Sequence, residues 1–155
     1  MKKIALNGVR GKGLFAFVDD EDYELVSKYS WYLTPQGYVC SKPHRIGIVS
    51  MARLVTNAPS NKQIDHWKGN KLDNQKGHLR ECTPRQNSVN VGLTVRNTSG
   101  YKGVSRTKYG GWLVTMTVKG KKLYIGTFGD ARAAALAYNA AALALHGEFA
   151  WINPV

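Results

Sequence analysis

Negative charge is scarce in this chain. Ten Asp and Glu stand against 22 Lys and Arg, which leaves a net charge of +12 and a pI near 9.9. That imbalance predicts a polyanionic partner, either DNA, RNA or an acidic membrane. Cysteine is almost missing. Cys40 and Cys82 lie far apart and form no CxxC pair, which argues against a structural zinc site and for two reduced, partly buried thiols. Long apolar runs are missing as well: none approaches the ~18–20 residues that cross a bilayer. The opening MKKIALNGVRGKG lacks an apolar h-region, so no signal peptide is expected. The membrane thereby falls behind nucleic acid as the expected partner, and a cytoplasmic location follows, in a bacterium or a phage-infected host.

The 155 residues suit one ordinary domain or two small ones, and 43% hydrophobic content is enough for a core. The basic excess is uneven. Residues 1–30 hold five Lys/Arg and five Asp/Glu, residues 31–91 nine against three, and residues 92–155 eight against two.

Residues 4–55 read as short strands and turns. LFAFV (14–18) and SWYLTPQGYVC (30–40) are aromatic and β-branched, broken by turn residues. DDEDYELVSKY (19–29) reads as a short helix or a wide turn. NAPSNK (57–62) reads as a loop, and NVGLTVRNTSG (90–100) as a linker.

The C-terminal third is regular. YKGVSRTK, GWLVTMTVKG and KKLYIGTFG predict three strands joined by glycine-containing turns. Trp112, Val114, Met116 and Val118 alternate with Leu113, Thr115 and Thr117, and Leu123 and Ile125 alternate with Lys122 and Tyr124. Asp130 predicts an N-cap and Gly147 a stop for the alanine-rich helix between them. That helix should cover the apolar face. The other face offers Thr115, Thr117, Lys122 and Tyr124, with Lys102, Arg106 and Tyr109 nearby. Such a sheet can enter the DNA major groove, although an ordinary solvated sheet face has the same composition.

Residues 99–153, with SGYKGV, GGW, LYIGTF, AALAYNAAALALHG and EFAWIN, closely resemble the plant ethylene-response-factor (APETALA-two) DNA-binding domain. The resemblance implies a three-stranded antiparallel sheet packed on one helix, with the sheet in the major groove of double-stranded DNA. It implies Lys102, Tyr109, Thr115, Thr117, Lys122 and Tyr124 as DNA-binding positions, to which the nearby charge of Arg106 is added. Ser105, Thr107, Thr115 and Thr117 stand where the plant domains use Arg or Glu, so the plant target sequence is not expected to carry over.

DHWKGNKLDNQKGHLRECTPRQN (65–87) is the polar centre of the chain. KQIDH (62–66) and HLREC (78–82) read as strands around a glycine-bounded loop. TPRQN opens a helix, with Thr83, Pro84 and Gln86 as N-cap, N1 and N3 of a capping box. Asp65 and the amide oxygen of Asn87 are hard ligands of the kind Mg²⁺ accepts. Neutral His66 is suited to take a proton from water. Ordinary hairpin and turn chemistry uses the same residue types.

The whole string resembles the HNH endonuclease family of the homing type: DH ending one strand, a GNKLDN-like loop, a second strand, then TPxxN. The preceding FVDDEDYELVSKYSWYL and MARLVTNAP resemble the front of HNH proteins that carry an APETALA-two-like domain. The resemblance implies an α+β chain with a ββα-metal core at about 62–91 inside a nuclease domain at 1–92, a linker at 93–98 and a DNA-binding domain at 99–155. It implies His66 as general base and Asp65 and Asn87 as ligands of Mg²⁺ or Mn²⁺, in a monomer or weak dimer. His78 stands where the family has the Asn of its NLR motif. It is expected to support His66, touch the metal or impair the site, and Asn74 to share in pinning the loop. A degenerate site would leave a DNA-binding protein that does not cut.

Overall fold

A computed structural model describes residues 1–155. The chain forms two compact units, Met1–Asn87 and Ser88–Val155, each with its own apolar cluster. The structure is mixed α and β, with four small sheets and short helices.

In the first unit, β1 (Lys2–Ala5) and β2 (Phe15–Val18) pair antiparallel. A 3-10 turn at Asp20–Asp22 leads into α1 (Tyr23–Val26). β3 (Tyr32–Leu33), β4 (Val39–Ser41) and β5 (Val49–Ser50) form a three-stranded sheet in that order. α2 (Met51–Thr56) follows. β6 (Gln63–His66) and β7 (Leu79–Cys82) pair as a hairpin with a long loop, and α3 (Pro84–Val89) begins at the end of the unit, its last two residues belonging to the second.

Alternation along β1 and β2 sends Ile4, Ala16 and Val18 inward. They meet Val26, Val39, Met51, Val55 and Leu79 around Trp31, the largest side chain buried in the chain. The Trp31 indole donates to the Val26 carbonyl at 2.8 Å, so its one polar atom is satisfied inside the core. The expectation of strands and turns through residue 55 fails at MARLVT, which is helical, with Met51, Ala52 and Val55 buried. Six residues make fewer than two turns, too few for a 3.6-residue period to stand out. Asn57, at φ 48°, ends this helix in the left-handed conformation. Arg53 donates to the carbonyls of Ala58, Pro59 and Lys62, which fixes the loop entering β6.

In the second unit, β8 (Val104–Arg106), β9 (Trp112–Val118) and β10 (Lys121–Phe128) form an antiparallel sheet in the order β10-β9-β8. α4 (Ala131–His146) lies on the face carrying Val104, Val114 and Met116, and contributes Ala134, Tyr138 and Ala142 to that core. Asp130 caps it, accepting from the Ala133 N–H at 2.8 Å, and Gly147 at φ 54° follows its last turn. Leu123 departs from its expected burial. It stands opposite Met116 yet is 43% exposed, while Ile125 packs on the core as expected, at a bulge between Tyr124 and Gly126. Asn139 and Asn153 interlock. The Asn139 amide donates to the Asn153 carbonyl and accepts from the Asn153 N–H, while the Asn153 side chain bonds both backbone groups of Lys102.

Gly103 sits at φ +74°, and a Cβ there would lie 2.3 Å from the Tyr138 ring and 2.7 Å from the Thr115 carbonyl. Gly103→Ala is predicted to destabilise the second unit by at least about 2 kcal/mol, through backbone strain and overpacking together. Urea unfolding followed by near-UV circular dichroism checks this.

Candidate active site

The β6–β7 hairpin and the start of α3 carry the chemistry-bearing residues. Register pairs Gln63 with Cys82, Asp65 with Arg80 and His66 with Leu79. The expected capping box forms: the Gln86 carboxamide oxygen accepts from the Thr83 N–H at 2.8 Å, and the Thr83 hydroxyl accepts from the Gln86 N–H at 3.3 Å. This starts α3 directly after β7 and places Asn87 one turn in.

Neighbours on a strand point to opposite faces, so Asp65 and His66 enter different surroundings although both are buried. His66 meets Asn74, whose amide oxygen lies 3.2 Å from Nε2. The Asn74 amide nitrogen donates to the Lys71 and Leu72 carbonyls, so its oxygen faces the ring and accepts. The neutral ring therefore carries its proton on Nε2 and has Nδ1 as its basic nitrogen. Tyr38 is tilted against the ring at 6.2 Å. Burial pushes His66 below the ordinary histidine range, against the opposing pull of the Asn74 hydrogen bond and the Asp65 carboxylate.

Asp65 faces Arg80, which donates both Nε, at 2.9 Å, and a terminal nitrogen, at 2.7 Å, to Oδ2. Asn87 donates Nδ2 to the Gln63 side chain at 2.8 Å. Gln63 lies two residues before Asp65 on the same strand face. Asn87 and His66 also line one cleft of about 240 Å³, together with Tyr38, Ser50, Ala52, Arg53, Gln63 and Ile64. Asp65 is not in that lining. The Asp65 carboxylate and the Asn87 amide oxygen are hard donors, the chemistry that suits a small divalent cation that keeps most of its water.

His78 has other partners. Its Nδ1 lies 2.5 Å from Asp73 Oδ2, its Nε2 lies 2.9 Å from Lys68 Nζ, and Trp67 packs edge-on to its ring. His66 takes its support from Asn74, and His78 braces the loop between the strands. Trp67 is partly exposed and donates to the Gly77 carbonyl at 2.9 Å, under the Lys68 ammonium. The sequence reading missed Arg80, Gln63 and Tyr38. Antiparallel pairing of the two expected strands was the available signal for Arg80, whereas nothing local marks Tyr38.

The expected DNA-contact residues of the second unit divide. Lys122 pairs with Thr117 and Tyr124 with Thr115, so these four share the face turned from the core. Tyr124 and Tyr109 are well exposed. Arg106 instead pairs with Trp112, on the core side of the sheet, and its guanidinium lies over that ring at 5.7 Å. The Lys102 ammonium donates to the Val89 and Val91 carbonyls at 2.7 and 2.5 Å, and burial lowers its proton affinity.

The chain is 35% identical over 152 residues to an uncharacterized HNH endonuclease of Acanthamoeba polyphaga mimivirus, across 94% of this chain and 78% of that protein. A relative of that identity and coverage places the chain in the HNH endonuclease family. Protein 3.8 of Escherichia phage T7 is 40% identical over 65 residues, 41% of this chain and 54% of that protein. Dehydration-responsive element-binding protein 2D of Arabidopsis thaliana is 42% identical over 55 residues, 34% of this chain and 27% of that protein. No protein-family model matches.

Two predictions follow from the geometry. Removing Arg80 takes two hydrogen bonds and the adjacent positive charge from the buried Asp65 carboxylate, so Arg80→Ala is expected to cost about 3–5 kcal/mol in urea unfolding. His66 binds its proton less readily folded than unfolded. Below the ordinary histidine value of ~6.5 the unfolded chain gains a proton that the folded chain resists, so His66 makes stability fall as pH drops through that value. His66→Gln should flatten this loss, seen as a smaller difference in urea midpoint between about pH 7.5 and 5.5.

Proposed function

We propose that the chain is a metal-dependent DNA endonuclease of the HNH homing type. In this reading residues 1–92 are the nuclease, with a ββα-metal core at about 62–91. Residues 93–98 link it to a DNA-binding module at 99–155. The carrying observation is His66: buried, held neutral, with its proton fixed on Nε2 by Asn74, in a cleft that also holds Asn87.

The Nδ1 atom of His66 takes the proton from the attacking water, and Asn74 keeps the ring in the tautomer that allows it. A divalent cation, Mg²⁺ or Mn²⁺, supplies positive charge to the scissile phosphate and the departing oxygen when bound, with Asp65 and Asn87 as its protein ligands. Arg80 orients the Asp65 carboxylate, and Gln63 orients the Asn87 amide. His78 stabilises the loop that carries Asn74. The sheet face of Thr115, Thr117, Lys122 and Tyr124 docks on double-stranded DNA, with lysines holding phosphates. The short match to a plant element-binding protein over 55 residues supports that docking. One site per chain makes a nick the product of a monomer.

A second reading rests on Arg80. Its two bonds to Asp65 Oδ2 compete with a cation for that carboxylate, as they would in a DNA binder that no longer cuts. Incubation of supercoiled plasmid and phage genomic DNA with Mg²⁺, Mn²⁺ or EDTA separates the two. The nuclease is expected to nick only with metal, and His66→Ala to lose on the order of 10²–10⁴ in rate. The acid limb of its pH–rate profile should fall below the ordinary histidine value of ~6.5. DNA binding with equal, negligible cutting by both proteins would select the non-cleaving reading.

A further inference from the structure

The register of β8, β9 and β10 fixes which side chains meet a partner on the open face of the sheet. Leu113, Thr115 and Thr117 from β9 stand there, opposite Thr127, Tyr124 and Lys122 from β10, and Ser105 from β8 pairs with Leu113. The other alternate set, Val104, Trp112, Val114 and Met116, belongs to the core under α4. Arg106, the only arginine in the three strands, goes with the core set by its pairing with Trp112. The open face thus has no Arg, Asn, Gln, Asp or Glu.

That absence has a chemical consequence in a major groove. Bidentate reading of guanine is the work of Arg or Lys, adenine needs Asn or Gln, and the cytosine amino group needs Asp or Glu. Lys122 is the one candidate, and it lies at the β9–β10 turn beside Lys119 and Lys121, where three ammonium groups suit phosphates. What fills the face between is three threonines, a leucine, Ser105 and the Tyr124 ring, whose hydroxyl is bonded to Thr127 at 3.2 Å, so the face is rich in methyl groups. Their complement is the C5-methyl of thymine, the one apolar group on the major-groove edge.

We propose that this face selects duplex DNA by thymine methyl contacts, so that the substrate class is thymine-rich and loosely specified instead of a fixed guanine-containing site. The inference rests on the DNA-binding reading of residues 99–155 and adds what that module prefers. Thr115 and Thr117 are its specificity-determining residues, and Lys122 is a phosphate anchor without base preference.

The test uses the full chain in EDTA, so that nothing is cut, at low salt. One random-sequence duplex pool is prepared with thymine, a second with uracil in its place, and a third with 7-deazaguanine for guanine. Uracil differs from thymine only by the missing methyl. The expected result is tightest binding to the thymine pool, enrichment of thymine-rich sequences, and a loss in the uracil version of about fourfold per contacted methyl. The 7-deazaguanine pool should bind like the first. Thr115→Ser with Thr117→Ser, which keeps the hydroxyls and removes two methyls at the centre of the face, should shrink the thymine–uracil difference while retaining most of the affinity. An unchanged circular dichroism melt shows that the variant is folded. Equal binding to thymine and uracil pools overturns the proposal, as does enrichment of guanine-rich sites that fail with 7-deazaguanine. Retention of no pool overturns the DNA-binding reading itself, and this inference with it.

Discussion

A buried carboxamide governs the first unit. Asn74 is 1% exposed, and an amide so enclosed must find partners for both ends or cost the fold several kilocalories. It finds them in the Lys71 and Leu72 carbonyls and in the His66 ring. Its backbone joins in: the Asn74 N–H donates to the Phe17 carbonyl at 2.7 Å, and the Phe17 N–H donates to the Leu72 carbonyl at 2.8 Å. One residue thus ties the long hairpin loop to β2, closes the loop on itself and sets the histidine's tautomer. Further along, Asp19 accepts from the Gln75 side chain and the Lys76 N–H, and Lys76 bridges Glu21 and Asp22. The loop is therefore a built structure, held from the N-terminal segment of the unit.

The strand pleat then separates two charges adjacent in sequence. Asp65 and His66 share a peptide bond but not an environment. Asp65 meets the Arg80 guanidinium, and His66 a wall of Tyr38 and Asn74 where burial lowers its proton affinity. A carboxylate directly on the ring would draw the histidine toward its protonated form.

The second unit solves a different problem, a small core under a thin sheet. Alanines at 134 and 142 let α4 approach β9 closely, and Gly103 gives the Tyr138 ring the space a side chain would fill. The Asn139–Asn153 pair then fastens the C-terminal segment to the start of the sheet. With α4 and these asparagines taking one face, every β-strand residue of opposite parity is left to solvent or to a partner.

Much was legible in sequence because it is local. Strand alternation in WLVTMTV, the Asp130 cap, the Gly147 stop and the Thr83–Gln86 capping box each depend on spacings of one to four residues, and each formed as read. In KLYIGTF the expected facing of Lys122 through Ile125 held, but Leu123 stays 43% exposed, and a bulge after Tyr124 shifts the register of Gly126 to Phe128 without any mark in composition. MARLVT was too short to show a helical period. The order of strand, loop, strand and helix around Asp65, His66 and Asn87 was also in the sequence, together with their residue chemistry. Their surroundings were decided elsewhere in the chain. Tyr38 reaches His66 from the segment between β3 and β4, Phe17 holds Asn74 from β2, and the pairing with Trp112 carries Arg106 to the core side. Short-range geometry is written in neighbouring residues, whereas solvation, tautomer and facing depend on groups that only folding brings within a few ångströms.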